Sequence, residues 1–317
     1  MSFAEKEYIL EQRKIWRRHM FNFLPHSVLQ MSTIFLSIVI EAIPFVLLGC
    51  LISGALQVYL TPERVQKILP NNKFLAILVG SFLGFFFPSC ECGIVPIVTQ
   101  FMRKGVPEHT AFAFMVTAPI INPIVLFSTY IAFGNSMKFA FLRALGSFIV
   151  ALIIGSWIAY FNRSPILKSE LCEHSDHHVE NKIRKNLKNN IWSVLIHGID
   201  EFFDTGRYLI IGALIASGMQ VFLPTQFMLQ LTSSKIVGIL VMLVLAFTMS
   251  LCSEADAFVG SSLLSLFGTN AIVAFLVFGP MVDIKNLMMM KRSFHGKFIL
   301  QLIALISVVV TIYALVI

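Results

Sequence analysis

The sequence predicts an all-α polytopic integral membrane protein, with about eight transmembrane segments arranged in two homologous halves. Hydrophobic residues make up 57% of the 317 positions and charged residues 13%, whereas soluble domains average roughly 45–50% and ~25%. Apolar runs of the length that a bilayer core requires, roughly 20 residues, recur along the chain. This composition excludes a disordered chain, a nucleic-acid-binding domain and most soluble enzymes.

The few charges divide the chain into four predicted segments. Residues 1–27 lack a signal-peptide cleavage site and are predicted to be a cytoplasmic amphipathic segment, which either lies on the membrane or is solvated. Residues 28–161 form the first membrane repeat and 191–317 the second. The polar stretch 162–190 is predicted to be a cytoplasmic linker. Under the positive-inside rule, this places both termini in the cytoplasm of a multi-pass plasma-membrane protein.

Each predicted half contains apolar runs that are interrupted by proline, glycine or charge. The runs are Val28–Leu60, Phe74–Met102, Thr110–Phe133 and Phe139–Phe161, then Tyr208–Leu223, Ile236–Phe267, Ala271–Met290 and Phe298–Ile317. Non-helical backbone survives at membrane depth only inside protein or beside a wet cavity. The interrupted segments are therefore expected to meet in the interior, as re-entrant hairpins or as broken spans. The predicted helix breaks are Pro88, Gly93, Pro96, Pro119, Pro123 and Pro280.

Landmark residues of the first half recur in the second at an offset of 161 to 163 positions. The stretch from Gly49 to Leu60 resembles the stretch from Gly212 to Leu223. Cys90 corresponds to Cys252, Pro119 to Pro280 and Asn122 to Asp283, pairs that generic apolar sequence does not produce. The chain is therefore predicted to be an internal duplication. Duplicated halves with paired interruptions are the best sequence indication of a transporter binding site.

The first candidate site is the Cys90-Glu91-Cys92 motif. Cysteines two positions apart do not share a helix face, but in an unwound loop they can converge on one soft ion. Glu91 is the only formal charge between Phe74 and Met102, and an ionisable residue inside the membrane is a functional candidate because its burial is costly. The alternative is that the cysteines are small apolar fillers and that Glu91 reaches an interface.

The second candidate site is the equivalent segment of the other half, which contains Cys252, Glu254 and Asp256. Two carboxylates in an apolar run are expensive unless they are wet, paired or protonated. Together the segments offer three thiols for a thiophilic metal or metalloid, so that Cys90, Cys92 and Cys252 are tentative metal ligands. The carboxylates suit charge compensation or a proton relay.

Weaker signals lie elsewhere in the chain. Asn122 is expected to ligate a substrate or to cap a half-helix, and Asp283 either pairs with Lys285 inside the membrane or lies just beyond the span. Glu41 is a lone carboxylate inside an apolar run. The linker stretch 172–178 contains three histidines, a cysteine and two acids. It either chelates a transition metal or is a solvated linker.

The two interrupted motifs resemble a known family. The residues Pro88-Ser-Cys-Glu-Cys-Gly93 and Thr117-Ala-Pro119 are similar to those of the predicted permease family that includes the organoarsenical efflux permease. The stretches 250–258 and 279–285 resemble the second-half signature of a Gram-positive, two-component branch. The resemblance implies an eight-span or similar plasma-membrane permease that works with a second membrane subunit. Cys-Glu-Cys stands where the arsenical branch has Cys-Ser-Cys-Gly, and the added carboxylate is a departure from the pattern of that branch.

From these observations we predict a membrane permease, as a secondary transporter or an efflux subunit, for a small metal, metalloid or organoarsenical. The expected substrate-binding residues are Cys90, Glu91, Cys92, Cys252, Glu254, Asp256, Asn122 and Asp283. Two alternatives are a two-component permease with a non-metal substrate and a membrane-embedded metal-dependent enzyme. The expected partners are the lipid bilayer and a second subunit or another copy, without nucleic acid. No catalytic residue or cofactor is expected, because the chain lacks nucleotide-binding and zinc-protease motifs.

Overall fold

The structure is a computed structural model that describes residues 26–59, 69–70, 72–87, 90–161, 166–168, 187–222 and 235–317. Over these ranges the chain is helical, apart from one isolated bridge between Leu167 and Phe294. The predicted N-terminal segment up to residue 25, Pro88 and the 172–178 cluster lie outside the described residues. The helices are α1 His26–Tyr59, α2 Lys73–Leu83, α3 Glu91–Arg103, α4 Glu108–Ile121, α5 Pro123–Ala132, α6 Met137–Tyr160, α7 Leu187–Phe222, α8 Lys235–Met249, α9 Ser253–Phe278, α10 Ile284–Ser293 and α11 Gly296–Val316.

Six helical stretches of the described chain are long and apolar enough to cross a membrane. They are α1, α4 together with α5, α6, most of α7, α9 and α11. Two shorter apolar helices, Lys73–Phe86 and Lys235–Met249, accompany them. The chain is therefore a polytopic helical membrane protein, as its sequence predicts.

The helices α2 and α3 form a re-entrant hairpin. Lys73, at the start of α2, donates a hydrogen bond from Nζ to the carbonyl of Ala159 at the end of α6. The end of α3 lies beside the start of α4. There the side chain of Glu108 accepts a hydrogen bond from the backbone of Ile166, a residue just beyond the end of α6. Both open ends of the hairpin thus lie on the side of the membrane where α6 ends. The turn at Cys90 lies in the interior, so this segment re-enters and does not cross.

The helix α9 reverses direction although its length alone suggests a span. Gly268 has a φ of 75°, outside the helical region. Asp256 lies so close to Gly279 that an added Cβ on this glycine would be 2.7 Å from Asp256 Oδ2. A continuous helix would hold these residues about 34 Å apart. The arms 253–267 and 269–278 are therefore antiparallel, and α8 with the first arm is a second re-entrant hairpin.

The two halves repeat one order of elements in opposite orientation. The helices α1 and α7 are antiparallel, because Gly54 contacts Gly198 whereas Ile38 packs near Ala216. The pairs α1 and α7, α2 and α8, α5 and α10, and α6 and α11 correspond, and α3 with α4 corresponds to the two arms of α9. The turn glycines match as well. Gly105 in the first half and Gly268 at the equivalent position of the second half both have a positive φ, of 84° and 75°.

The described helices begin and end at two opposite ends of the helix layer. We call the end that holds Tyr160 and Leu187 the linker end, and the end that holds His26 and Val316 the terminal end. Tyr313 Oη donates to the carbonyl of Leu142, which places the end of α11 beside the start of α6. The linker and the two termini were expected on one side. The described helices favour the opposite arrangement, because re-entrant hairpins leave an odd number of crossings in each half.

Three of the predicted helix breaks do not interrupt a helix. Gly93 and Pro96 lie inside α3, and Pro119 lies inside α4. Pro123 occupies the first turn of α5, where a missing N–H costs nothing, and Pro280 lies in the turn between α9 and α10. Helices inside a membrane protein tolerate proline because neighbouring groups satisfy the freed backbone atoms.

Candidate functional site

Four helices begin near the middle of the helix layer, two from each half. Cys90 and Cys252 are the N-caps of α3 and α9. The side chain of Asn122 accepts a hydrogen bond from the Ile124 amide at 3.0 Å and caps α5. Asp283 Oδ1 accepts one from the Asn286 amide at 2.6 Å and caps α10. Because helix N-termini carry partial positive charge, their convergence favours acidic residues at this depth.

Glu91 and Lys285 form a buried ion pair between the halves. Lys285 Nζ lies 3.1 Å from Glu91 Oε1 and 3.4 Å from Asp283 Oδ2, and both carboxylates are 1% exposed. Ser253 Oγ donates to Glu91 Oε2 at 3.1 Å. In addition, Ser250 Oγ, just before α9, accepts a hydrogen bond from the backbone amide of Ile284 at the start of α10, at 3.1 Å. The first residue of α3 is therefore fixed by α9 and α10.

A second buried cation ties three helices together. Arg143, on α6, is fully buried. Its Nε donates to the Leu276 carbonyl at 3.0 Å, Nη1 to Thr129 Oγ1 at 2.8 Å and Nη2 to the Ser253 carbonyl at 2.9 Å. These bonds hold α5, α6 and both arms of α9 in fixed relation. Arg143 also lies within electrostatic reach of Asp256 and Glu254.

Asp256 is buried in the same region without a complete set of partners. The residue is 2% exposed, and its Oδ2 lacks a hydrogen bond from any described residue. Arg143, Glu91, Lys285 and Asp283 all act on it electrostatically. Asp256 forms no direct ion-pair contact with a described side chain, and the nearby charge of Arg143, which also lacks such a contact, acts on it only through space.

The thiols lie at the edges of this cluster. Cys92, in the first turn of α3, is within hydrogen-bonding reach of Cys90, the N-cap of that helix. Cys252 lies within reach of Glu41 on α1. Among the described residues, no group of three or more histidine, cysteine, aspartate or glutamate side chains has an arrangement that holds a metal ion.

Glu41 is the exposed member of the site. It lies on α1 next to the buried stripe of that helix, and its side chain is exposed while that of Cys252 is buried. Ile40, its neighbour in sequence, is 68% exposed and projects from α1 about 100° away from Glu41. A carboxylate at this depth needs water or a partner, so the space beside Glu41 and Cys252 has the character of a polar opening.

The helices α1 and α7 seal the site at the linker end. Gly49 on α1 lies against the backbone of Gly93 on α3, and Gln100 Nε2 donates to Gln57 Oε1 at 3.0 Å. Lys104 Nζ donates to the Gln57 carbonyl at 2.7 Å, and burial lowers the pKa of this lysine. The helices α7 and α10 pack together as well.

An ionic cluster adds to this seal between α7 and α10. Arg292 Nη1 donates to Glu201 Oε1 at 2.9 Å, and its Nη2 lies 3.0 Å from Asp204 Oδ2. The repeat relates each packed pair at the linker end to a pair at the terminal end. The pair α1 and α3 corresponds to α7 and the first arm of α9, and the pair α7 and α10 corresponds to α1 and α5. Neither pair forms a packed interface within the described ranges. The inverted halves are thus closed at one end and apart at the other.

The structure brings most of the predicted site residues together at the centre of the helix layer. Among the described residues, these side chains lie near a lysine, an arginine and a serine, and are not arranged around one another as metal ligands. Glu91 and Asp283 contact Lys285 directly, which supports the intramembrane alternative for that pair. Asn122 acts as a cap, and Glu254 is half-buried one turn from the cluster. Two residues that the sequence reasoning did not select, Arg143 and Ser253, complete the hydrogen bonding. A single arginine inside the apolar run 139–161 was the signal for the first of them.

Fold and site together define a polytopic membrane protein with inverted repeats and a charged centre between re-entrant hairpins. A family model described as a predicted permease, ArsP_1, matches residues 27–317. The chain therefore belongs to this family of predicted permeases.

Curated relatives cover nearly all of the chain. A putative two-component membrane permease complex subunit of Streptococcus mutans is 53% identical over 299 residues, which are 94% of this chain and 98% of that protein. The UPF0718 protein YcgR of Bacillus subtilis is 48% identical over 285 residues, 90% and 95% of the two chains. The UPF0718 protein YraQ of Escherichia coli is 22% identical over 257 residues, 79% and 70%. No solved structure matches the chain.

Proposed function

We propose that the chain is the transport subunit of a secondary permease that carries a small thiophilic cation or metalloid by alternating access. The observation that carries this proposal is the unequal packing of equivalent helices around one charged centre. In an inverted repeat, each half can adopt the arrangement that the other half holds. Exchange of the two arrangements opens the linker end and closes the terminal end.

The cysteines favour a thiophilic substrate. Cys90 and Cys252 are the N-caps of α3 and α9, so that both thiols lie at the charged centre between the halves. Soft thiolate ligands select soft metal ions. Because the described thiols are not gathered into a metal-holding group in this arrangement, we infer that Cys90, Cys92 and Cys252 approach one another during the exchange.

The test is a sensitivity and accumulation screen of a deletion strain across metals, metalloids and organoarsenicals. The strain is complemented with the native chain and with a Cys90→Ser, Cys92→Ser variant. We expect the native chain to lower accumulation of at least one soft cation or metalloid, and the variant to fail at equal membrane levels. Cys50→Ser is the matched control, since Cys50 is equally buried but lies between α1 and α7. Full export by the double variant contradicts the thiol role.

A second candidate is a two-component permease with a non-metal substrate. The name of the Streptococcus mutans relative, a subunit of a two-component complex, favours an obligatory second membrane subunit. Proteoliposomes that contain this chain alone, or this chain with the co-purified subunit, distinguish the two cases. Full flux from the chain alone excludes an obligatory partner.

A further inference from the structure

The buried cluster carries one more acid than base. Its carboxylates are Glu91, Asp256 and Asp283, and its cations are Arg143 and Lys285, all of which are at most 3% exposed. A surplus charge in a low-dielectric interior is costly unless a counter-charge or a proton neutralises it. The cluster is therefore built to hold one further positive charge.

Hydrogen bonding locates the surplus at Asp256. Glu91 is paired with Lys285 and Ser253. Asp283 Oδ2 also lacks a hydrogen bond among the described residues, but it lies 3.4 Å from the charge of the same lysine. The hydrogen bonds of Arg143 go to Leu276, Thr129 and Ser253, and none of those described goes to Asp256. Asp256 Oδ2 is buried with no donor among the described residues.

The space around Asp256 favours a proton over a metal cation. The backbone of Gly279 fills the space beside Oδ2, where a Cβ would approach to 2.7 Å. Hard metal cations take about six or more oxygen ligands. In the described part of the chain, Asp256 belongs to no group of acidic, histidine or cysteine side chains that holds a metal. A proton needs only the one free oxygen.

We propose that Asp256 binds the coupling proton of transport. This inference rests on the proposed function and names its coupling ion. The proton comes from the aqueous phase at the open terminal end, where Glu41 is exposed beside Cys252 and Glu254 is half-buried. It adds to Asp256 Oδ2 and leaves when the linker end opens. The groups that face Asp256 are Arg143 from α6, Glu91 from α3, and Asp283 and Lys285 from α10.

Infrared difference spectroscopy on the purified, reconstituted chain tests the proposal without a transport substrate. We expect a protonated carboxylic acid band at neutral pH that is absent from Asp256→Asn. The band is expected to persist, with a shifted frequency, in Asp256→Glu. Asp200→Asn, which changes an exposed carboxylate of α7, is the control and should leave the band unchanged. An unchanged band in Asp256→Asn overturns the proposal.

Sodium provides the second arm of the experiment. The spectrum is compared in sodium and in choline buffers at one pH. We expect equal bands, because a proton occupies Asp256 in both buffers. Loss of the band on addition of sodium would assign the site to the metal cation and overturn the proton. Either outcome is independent of the export screen, so a failure of the permease proposal and a failure of this one are distinguishable.

Discussion

At the scale of single residues, the charges of the two halves are matched to one another. Glu91 lies at the start of α3 and Lys285 lies in the first turn of α10, yet the two side chains meet at 3.1 Å. Their separation along the chain hides this pairing from sequence reasoning. The sequence identified the buried acids correctly as unusual, because a charge inside an apolar run is visible in one dimension. It left their partners open, because these are set by packing.

The buried pair predicts an asymmetry between single and double substitutions. Lys285→Met leaves Glu91 and Asp283 without a cation, and removal of one partner of a buried ion pair typically costs about 3–5 kcal/mol. Adding Glu91→Gln to Lys285→Met is expected to recover part of the lost thermal stability in detergent. Lys297→Met, which removes an exposed lysine of α11, is the control. A double variant that melts below the Lys285→Met protein contradicts the pairing.

Glu41 is predicted to face water and not lipid. A membrane-impermeant maleimide is expected to label Glu41→Cys from the side of the terminal end. Ile40→Cys, one position away and also exposed in the structure, is expected to resist the reagent because its side of α1 faces the acyl chains. Labelling is measured by the mass shift of the denatured protein. Equal labelling of both variants would show that no polar opening exists beside α1.

At the scale of elements, the apolar runs predicted the helices well and their paths poorly. A short run such as 74–87 is too short to cross a bilayer alone, but its length does not say whether it returns. The runs Ile236–Phe267 and Ala271–Met290 are interrupted at Gly268, but an interruption does not show that the chain reverses there. Contacts such as that of Asp256 with Gly279 settle the path.

The close contact of α1 with α3 depends on glycine. A Cβ on Gly49 would lie 2.4 Å from the carbonyl oxygen of Gly93, and backbone cannot move as a flexible side chain does. We expect Gly49→Ala to lower stability by about 1–3 kcal/mol through overpacking. Gly218→Ala, on α7, has no neighbouring atom within 4 Å and serves as control. Equal melting temperatures for the two variants would refute a tight seal.

At the scale of the whole molecule, the distribution of basic residues predicts the orientation in the membrane. The described lysines and arginines of the linker end are Lys73, Arg103, Lys104, Lys168, Lys291, Arg292 and Lys297, whereas Lys138 and Lys235 lie near the terminal end. Basic residues are enriched on the cytoplasmic side. The linker end is therefore expected to face the cytoplasm, and the C-terminus the outside.

Two probes in intact cells measure this orientation. A protease site inserted in the linker is expected to be protected from external protease, and a tag after Ile317 is expected to bind antibody without permeabilisation. A tag inserted between α5 and α6, at residues 133–136, is a matched probe of the terminal end. Linker and C-terminal probes that report the same side would contradict the odd number of crossings in each half.

The central claim is that the inverted halves exchange their arrangements, and paired spin-label distances test it most directly. One pair joins residues 59 and 103 at the linker end, and the other joins the equivalent residues 222 and 266 at the terminal end. We predict a major population with the first distance short and the second long, and a minor population with the reverse. Both fractions are expected to change together when pH or Cd²⁺ is varied. A single, unchanging distance for each pair under all of these conditions would contradict the exchange.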